Sequence, residues 1–347
     1  MGYKCTSADH AIFVRGDDSI SSIIAIYIDD ITVATKSMKT INKVKDALKA
    51  SYEMTNLGEI TWILGMHITH DCKAGWIALS QEKFIKEVLE RFGKSDIRPI
   101  STPALANEHL TKLTSPETDV KSFQRAIGAL MYPMLGTRPD LAFSVGALGR
   151  HAANPGDEHL HALDRVFRYL RATSDLKLVF QQGTTKGTRL TSYVDADWAS
   201  DVNDRKSTSG FVFKLSGGAV SWSSKKQPSV ALSSTEAEYI AGAHAAKEAV
   251  WLERLISEVW RQPVPHAPVP LHIDNQSAIA ITKNPKFHDW TKHIAVRHHF
   301  LRQQYEEEAI ELLYIPTNEQ IADVLTKGLV REKHERFAAR MGLRRVG

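Results

Sequence analysis

The chain has 347 residues, 43% of them hydrophobic and 24% charged, with a formal net charge of +4. That balance fits a folded globular protein of about two domains and excludes an intrinsically disordered one. The mild basicity permits a polyanionic partner without demanding one, and only two cysteines, Cys5 and Cys72, exclude a disulfide scaffold or a cysteine-built zinc site and fit a reducing, intracellular setting in cytoplasm or nucleus.

The first element falls in residues 20–35, where two β-branched runs flank Asp29-Asp30 and predict a hairpin with that pair at its turn. The acidic pair also breaks the most apolar run, Ile23 to Ile31, well short of the ~20 residues of a membrane span. The stretch Met1–Cys5 lacks the apolar core of a secretory signal. A helix is predicted over about 37–52 from the spacing of Ile41, Val44 and Leu48, then a strand pair over 60–79 around Gly65 and Gly75, then a helix from Gln81 to Phe92. Prolines and Ser/Thr residues mark 98–117 as a loop. Residues 120–172 read as helical, with an apolar stripe of Leu160, Leu163, Phe167 and Leu170 opposite Arg165, Arg168 and Arg171. A basic stripe of that kind is read first as a solvated face and second as a phosphate contact.

Gly183 to Gly187 is the predicted domain boundary. Beyond it, strands at about 188–195, 209–215 and 219–224 form a meander with Gly217-Gly218 as a hairpin turn. A long helix follows over about 235–260, then a proline-rich stop, a strand at 271–274, helices at about 275–284 and 291–307, a strand at 310–315 and a helix from Asn318. Trp198, Trp222 and Trp251 are assigned to core packing.

Four acidic residues stand out by setting: Asp195 and Asp274 at strand ends, Glu236 and Asp323 at helix starts. A strand–helix–strand–helix order can bring four distant carboxylates together. Two divalent ions ~3.5–4 Å apart need hard oxygen ligands with at least one shared carboxylate. Each residue has a plainer reading. Glu236 completes a Ser233-x-x-Glu236 capping box with Glu238 an exposed neighbour, Asp274 is placed to N-cap the next helix, and Asp323 fits a solvated helix position. Period-two alternation puts Asp197 on the same face as Asp195, so either suits a ligand.

Read together, residues 188–328 resemble the ribonuclease H domain of copia-type retrotransposon polyproteins. The matching blocks are Tyr193–Ala199, Arg205–Gly210, Leu232–Tyr239, Asp274–Ala278, Thr291–Ile294 and Ala322–Lys327. The resemblance implies an α/β domain with a mixed central sheet, in which Asp195, Glu236, Asp274 and Asp323 hold two magnesium ions, manganese being a substitute. It further implies cleavage of the RNA strand of an RNA–DNA hybrid, the 2′-hydroxyl telling the strands apart. Arg205, Lys206, Lys225, Lys226, Lys292 and His293 are candidates for contact with the nucleic-acid backbone. Many ribonucleases H carry a histidine between the last strand and the last acidic helix. Here Ile315–Gln320 has none, and His293, His298 or His299 would have to substitute.

The amino-terminal part resembles the same polyproteins. Tyr27-Ile28-Asp29-Asp30 is similar to the active-site hairpin of a reverse transcriptase palm. Further matching blocks are Met54–Gly58, Ile63–Ile68, Leu79–Lys83, Ser101–Pro103, Gly128–Tyr132 and Thr137–Asp140. Tyr27, Asp29 and Asp30 then belong to the polymerase site and Gly65 and Met66 to the primer-gripping hairpin, facing template–primer nucleic acid. The domains expected are 1–80 (part of the palm), 81–182 (thumb and connection), 188–328 (ribonuclease H) and 329–347 (a helical tail). The family's third polymerase carboxylate lies upstream of the hairpin, and Asp9, Asp17 and Asp18 do not supply it. The expectation is therefore an incomplete palm that lacks an amino-terminal segment, binds at most one metal weakly, and does not polymerise alone. The competing expectation is an inert transposon remnant that only binds nucleic acid. A transposase or integrase of related fold would need a late glutamate where this chain has Asp323.

Overall fold

The structure is a computed structural model and describes residues 1–17, 20–116, 118–183, 190–260, 267–284 and 299–346. They form two compact units, Met1–Thr61 with Lys247–Pro268, and Trp62–Ala246 with Val269–Gly347. Among the described residues, no helix is long and apolar enough to cross a membrane.

In the smaller unit, β1 (Lys4–Cys5), β2 (Ile12–Asp17), β3 (Ile20–Tyr27) and β4 (Asp30–Thr35) make an antiparallel sheet in that order. Tyr27 pairs with Asp30, so Ile28-Asp29 forms the turn and Asp30 already opens β4, one residue off the expected turn. Ile28 sits at φ 54°, a left-handed conformation costly for a β-branched residue. Helix α1 (Met38–Ser51) begins where the Ser37 hydroxyl accepts the Thr40 N–H at 3.3 Å, and its Val44 is buried. The carboxyl-terminal part of a long helix, α6 (Ser234–Trp260), belongs here too: the Trp251 indole N–H donates to the Ala8 carbonyl at 3.0 Å.

The larger unit holds two sheets. One is antiparallel, with β5 (Trp62–Ile63), β6 (Met66–Asp71), β7 (Trp76–Ser80), β8 (Lys177–Gln181) and β14 (Leu343–Arg344) in the order β14-β8-β7-β6-β5. The β5–β6 turn has Leu64 and Gly65 both at positive φ (49° and 74°), the signature of a two-residue type I′ hairpin. The Tyr132 hydroxyl donates to the Leu64 carbonyl, and a Cβ on Gly65 would lie 2.6 Å from that hydroxyl oxygen, so a side chain there would have to displace Tyr132 as well as adopt a strained φ. Helices α2 (Glu82–Arg91), α3 (Val120–Gly136), α4 (Ala142–Gly149) and α5 (Asp157–Ala172) share one apolar core. On α5 the buried stripe runs through Leu163, Val166, Phe167 and Leu170, whereas Leu160 is exposed. On the other side of α5, Arg165 and Arg168 are half-buried and Arg171 is exposed, and the three donate to Thr102 Oγ1, the Arg98 carbonyl and the Ser95 carbonyl at 2.8, 2.9 and 2.5 Å. They pin the loop that precedes α3.

The block Thr137–Asp140 is explained by packing. The fully buried Arg138 guanidinium donates two bonds to Asp140 (3.0 and 2.7 Å) and one to the Thr173 carbonyl (2.9 Å), joining the end of α3 to the end of α5.

The second sheet, expected from sequence as mixed, is mixed. Its strands β9 (Thr191–Asp197), β10 (Thr208–Leu215), β11 (Gly218–Lys226), β12 (Val269–Ile273) and β13 (Ile310–Tyr314) lie in the order β11-β10-β9-β12-β13. β9, β10 and β11 are antiparallel, while β12 runs parallel to both β9 and β13. The β10–β11 turn centres on Ser216 and Gly217, both at positive φ, one residue earlier than expected. Helices α7 (Gln276–Lys283) and α8 (His299–Glu306) lie between β12 and β13 in the chain. After β13 the chain makes 3-10 turns at Thr317–Glu319 and Ile321–Leu325, not the α-helix predicted from Asn318. The extended backbone of Gln320 separates the two turns and its side chain caps the second. Helix α9 (Arg331–Arg340) and β14 close the chain against β8, so the tail is helix plus strand and its Phe337 and Met341 are buried.

Candidate metal centre

The carboxyl ends of β9 and β12 define the site. Leu271 pairs with Ser192, and three residues further along these parallel neighbours Asp274 comes level with Asp195. Carboxyl ends of adjacent parallel strands are where α/β sheets place ligands. Asp195 is 2% exposed, with Val194 and Ala196 buried on either side of it. Asp274 is half-buried and does not cap α7. That role falls to Asn275, whose side chain accepts the Ala278 N–H at 2.9 Å.

The third carboxylate belongs to Glu238, not to the expected Glu236. Ligand oxygens of Asp195, Glu238 and Asp274 lie within 4.8 Å of one another. Two positions along a helix rotate a side chain by about 200°, so these glutamates cannot both face the sheet. Glu236 takes the capping role: its N–H donates to Ser233 Oγ at 3.1 Å and its carboxylate accepts the Leu232 N–H at 2.7 Å. Glu238, expected to be exposed, is 4% exposed, and its Oε1 accepts the Ala196 N–H at 3.2 Å. The signal that distinguishes them is the helical stripe Glu238–Gly242–Ala245–Ala249, small and buried throughout, whereas the stripe through Glu236 emerges at Lys247 and Val250. At Gly242 an added Cβ would lie 3.0 Å from Leu301 and 3.7 Å from Ile273, which records how closely α6 approaches β12.

Asp323 is wholly buried, contrary to a solvated helix position, but stands outside this triad. Its Oδ1 meets Lys327 Nζ at 2.8 Å and its Oδ2 meets Lys333 Nζ. Lys327 Nζ also lies 3.7 Å from Asp195 Oδ2, which accepts the Thr326 hydroxyl. Gln320 fastens the Asp323-bearing turn to the sheet, donating to the Val194 carbonyl at 2.8 Å. The turn presses onto β10 opposite Asp195: Gly210 pairs with Asp195, and a Cβ there would stand 2.7 Å from Thr326 and 2.9 Å from Leu325.

The electrostatics match a site short of cations on one side. Burial pushes the Asp195 carboxyl up to about 7 against the pull of Lys327. Burial, with Asp195 and Asp274 adding repulsion, holds the Glu238 carboxyl well above its ordinary value. Burial opposes the charge on Lys327, but Asp195 and Asp323 outweigh it and keep its ammonium above the usual lysine range. Glu238 Oε2 is buried with no hydrogen-bond partner among the described residues. Three convergent carboxylates and one orphaned buried oxygen are a donor set that fits a hard divalent cation. Asp197 is not in the triad; it lines, with Lys327, Trp198, Arg150, Arg205 and His109, a cavity of about 390 Å³.

The remaining sequence candidates are scattered. Asp29 and Asp30 are exposed at the hairpin tip and join no acidic cluster among the described residues, and Tyr27 beside them is 57% exposed. Gly65 forms the β5–β6 turn and Met66 opens β6. Arg205 is exposed at φ 58°, and Lys206 lies 3.7 Å from Asp204. Lys226 is held by Asp201 and Asp204 at 2.5 and 2.8 Å, which argues for a loop brace. Lys225 is exposed on β11. Lys292, His293 and His298 lie outside the described residues, and His299 is an exposed residue at the start of α8. Trp222 packs against a core and donates to the Met134 carbonyl, but Trp198 and Trp251 are 49% and 41% exposed, so the core assignment fails for those two.

Fold and site together define a mixed-sheet α/β protein with a carboxylate centre suited to a divalent cation. Residues 1–106 match the family model of reverse transcriptase, an RNA-dependent DNA polymerase. The chain is 40% identical over 341 residues, 96% of its length, to the retrovirus-related Pol polyprotein from transposon TNT 1-94 of Nicotiana tabacum. It is 33% identical over its whole length to the corresponding polyprotein from transposon RE2 of Arabidopsis thaliana. It spans 25% and 23% of those two proteins. The putative transposon Ty5-1 protein of Saccharomyces cerevisiae is 32% identical over 72% of this chain and 80% of that protein. The N-terminal ribonuclease H domain of Rv2228c from Mycobacterium tuberculosis, solved as a maltose-binding protein fusion, aligns over 44% of this chain and 98% of that one. Its TM-score is 0.29 at 12% identity, too slight a likeness to bear on the site. The chain belongs to the Pol polyprotein family of copia-type retrotransposons.

Proposed function

We propose that the chain is a metal-dependent endonuclease that cuts the RNA strand of RNA–DNA hybrids, with Asp195, Glu238 and Asp274 as cation ligands and Asp323 beside them. The observation that carries this reading is the convergence of three carboxylates from β9, α6 and the end of β12 within 4.8 Å, one of them with an orphaned buried oxygen. Magnesium, with manganese as substitute, is the cation proposed, because oxygen-only donors select hard ions. When bound, it supplies water activation and charge neutralisation at a phosphodiester.

The chain's own residues do the rest. The Ala196 N–H fixes Glu238, so the ligand set is preorganised by backbone as well as by packing. The Thr326 hydroxyl orients Asp195. The cavity bounded by Asp197, Trp198 and Arg205 gives a nucleic-acid strand room next to the cluster. The proposal keeps 188–328 as the nuclease region and 1–80, 81–182 and 329–347 as palm-derived, connecting and tail segments. It assigns no polymerisation to this chain, since Asp29 and Asp30 meet no third carboxylate among the described residues.

The test is cleavage of an RNA–DNA hybrid with magnesium by the parent chain and by Asp274→Asn, which keeps shape and removes charge. Magnesium-dependent cleavage is expected from the parent, reduced roughly 100-fold or more in the variant. Equal cutting by both removes Asp274 from the site. A parent that binds hybrid and leaves it intact in magnesium or manganese establishes the inert-remnant alternative.

A further inference from the structure

The block Ala322–Lys327 carries Thr326 and Lys327 as well as Asp323, and the nuclease reading gives Lys327 no role. Both extra side chains touch Asp195. The acidic cluster thus has two unlike halves. The triad half has no lysine or arginine within ion-pair distance of Glu238 or Asp274 among the described contacts, and it contains the unpartnered Glu238 Oε2. The Asp323 half holds two ammonium groups: Lys327 Nζ lies 2.8 Å from Oδ1, though without a well-directed hydrogen bond, Lys333 meets Oδ2, and Lys327 reaches on to Asp195.

We infer that Lys327, braced by Lys333, stands in the place of a second cation in the metal-free chain, so that ions load in sequence: one on the triad, and another only after the Lys327 ammonium leaves Asp323. The inference rests on the nuclease reading. The Lys327 ammonium supplies one positive charge between the Asp195 and Asp323 carboxylates, Lys333 supplies a second at Asp323, and a divalent ion held by both acids would have to displace the first. Lys327 is the mobile partner. It keeps 34% of its side chain exposed on a flexible four-carbon stem, whereas Asp323 is fully enclosed. The spacing is local and obligatory, because Lys327 lies four residues after Asp323 and the chain turns on itself there. Lys333 comes from α9, so the tail beyond the nuclease region reaches the site through one side chain.

The experiment is a manganese titration of the full chain without nucleic acid, by calorimetry and by the paramagnetic signal of free manganese, for the parent, Lys327→Met and Lys333→Met. The parent should bind one ion, with a second at least roughly ten-fold weaker. Lys327→Met should strengthen the second by about ten-fold or more and change the first by less than about three-fold. Lys333→Met, which leaves Lys327 in place, should shift the second ion in the same direction but less. In chelator Lys327→Met should melt below the parent, and manganese should close the gap; a merely structural lysine would lower melting without altering the second ion. Two equal ions in the parent, or a second ion unchanged or weakened in both variants, would overturn the inference. Absence of even the first ion from the parent removes the nuclease reading itself, and the inference with it.

Discussion

Replacing Glu238 by Gln, with Glu236→Gln as its partner experiment, separates ligand from cap. Burial, with the neighbouring Asp195 and Asp274 adding repulsion, disfavours the charged form of Glu238 when no cation is bound. A neutral amide of the same shape can still accept the Ala196 N–H, so stability in chelator should change by no more than about 1 kcal/mol. The difference appears with the ion. At 100 times its dissociation constant, a cation that binds only the folded chain stabilises it by about 2.7 kcal/mol. For a unit of this size that is a rise in Tm of roughly 5–10 °C. Glu238→Gln should lose most of that rise, and hybrid cleavage with it. Glu236→Gln weakens one helix cap, lowering Tm in chelator by the equivalent of roughly 0.5–1 kcal/mol, but should keep the full metal-dependent rise. Thermal denaturation with and without manganese measures both. The reasoning is refuted if Glu236→Gln abolishes the rise while Glu238→Gln preserves it.

Gly210→Ala should cost roughly 1–3 kcal/mol by overpacking, because the new Cβ would stand 2.7 Å from Thr326. It should also diminish the metal-dependent rise in Tm; an unchanged melting curve would show that the Asp323-bearing turn does not press on β10. His334, with its ring nitrogen 3.1 Å from the Tyr169 hydroxyl, is held by burial down to about 4. The unfolded chain therefore protonates first: the stability is fully present above pH ~6.5 and is lost as pH falls towards 4, by roughly 1.4 kcal/mol per unit. A His334→Gln variant should flatten that slope in chemical denaturation between pH 6.5 and 4, and an unaltered slope would place the acid sensitivity elsewhere.

The two strand acids of the site were legible because each follows an apolar run, although β9 continues past Asp195 to Asp197. Asp195 follows Tyr193-Val194, and Asp274 follows Leu271-His272-Ile273, so each acid interrupts a run that must be buried. On the helix side a Ser-x-x-Glu pattern is a local signal, and the structure gives Glu236 that capping role and not the ligand role the resemblance implies. Small residues every three or four positions after Glu238 carried the better signal, since only a close-packed helix face has use for Gly242 and Ala245 there. Asp323 was found by its block and misplaced by its local structure, because the 3-10 turns depend on Gln320 reaching the Val194 and His272 carbonyls, partners more than forty residues away. Lys333 could not be read at all. It is one basic residue in a polar helix, and only tertiary packing brings it to Asp323. The α5 arginines add a point the periodicity does not carry: besides forming a partly solvated face, all three bond the loop at 95–102.

The two aspartate pairs of this chain show what turns acids into a metal centre. Asp29 and Asp30 stand in solvent at a hairpin tip, where water screens their repulsion and the fold spends nothing to keep them together. A pair so placed grips a cation no better than any exposed acid. Asp195 and Asp323 are enclosed, and two buried carboxylates in a low-dielectric setting cannot both stay charged unless positive charge is close. Among the described residues that demand is met on one side, by Lys327 and Lys333, and no lysine or arginine pairs with Glu238 or Asp274. Evenly distributed lysines would have made the cluster a stable ion-pair network with no use for metal. It is the uneven supply that makes the triad a place where an external cation gains the most, and the same unevenness fixes the order in which a second can enter.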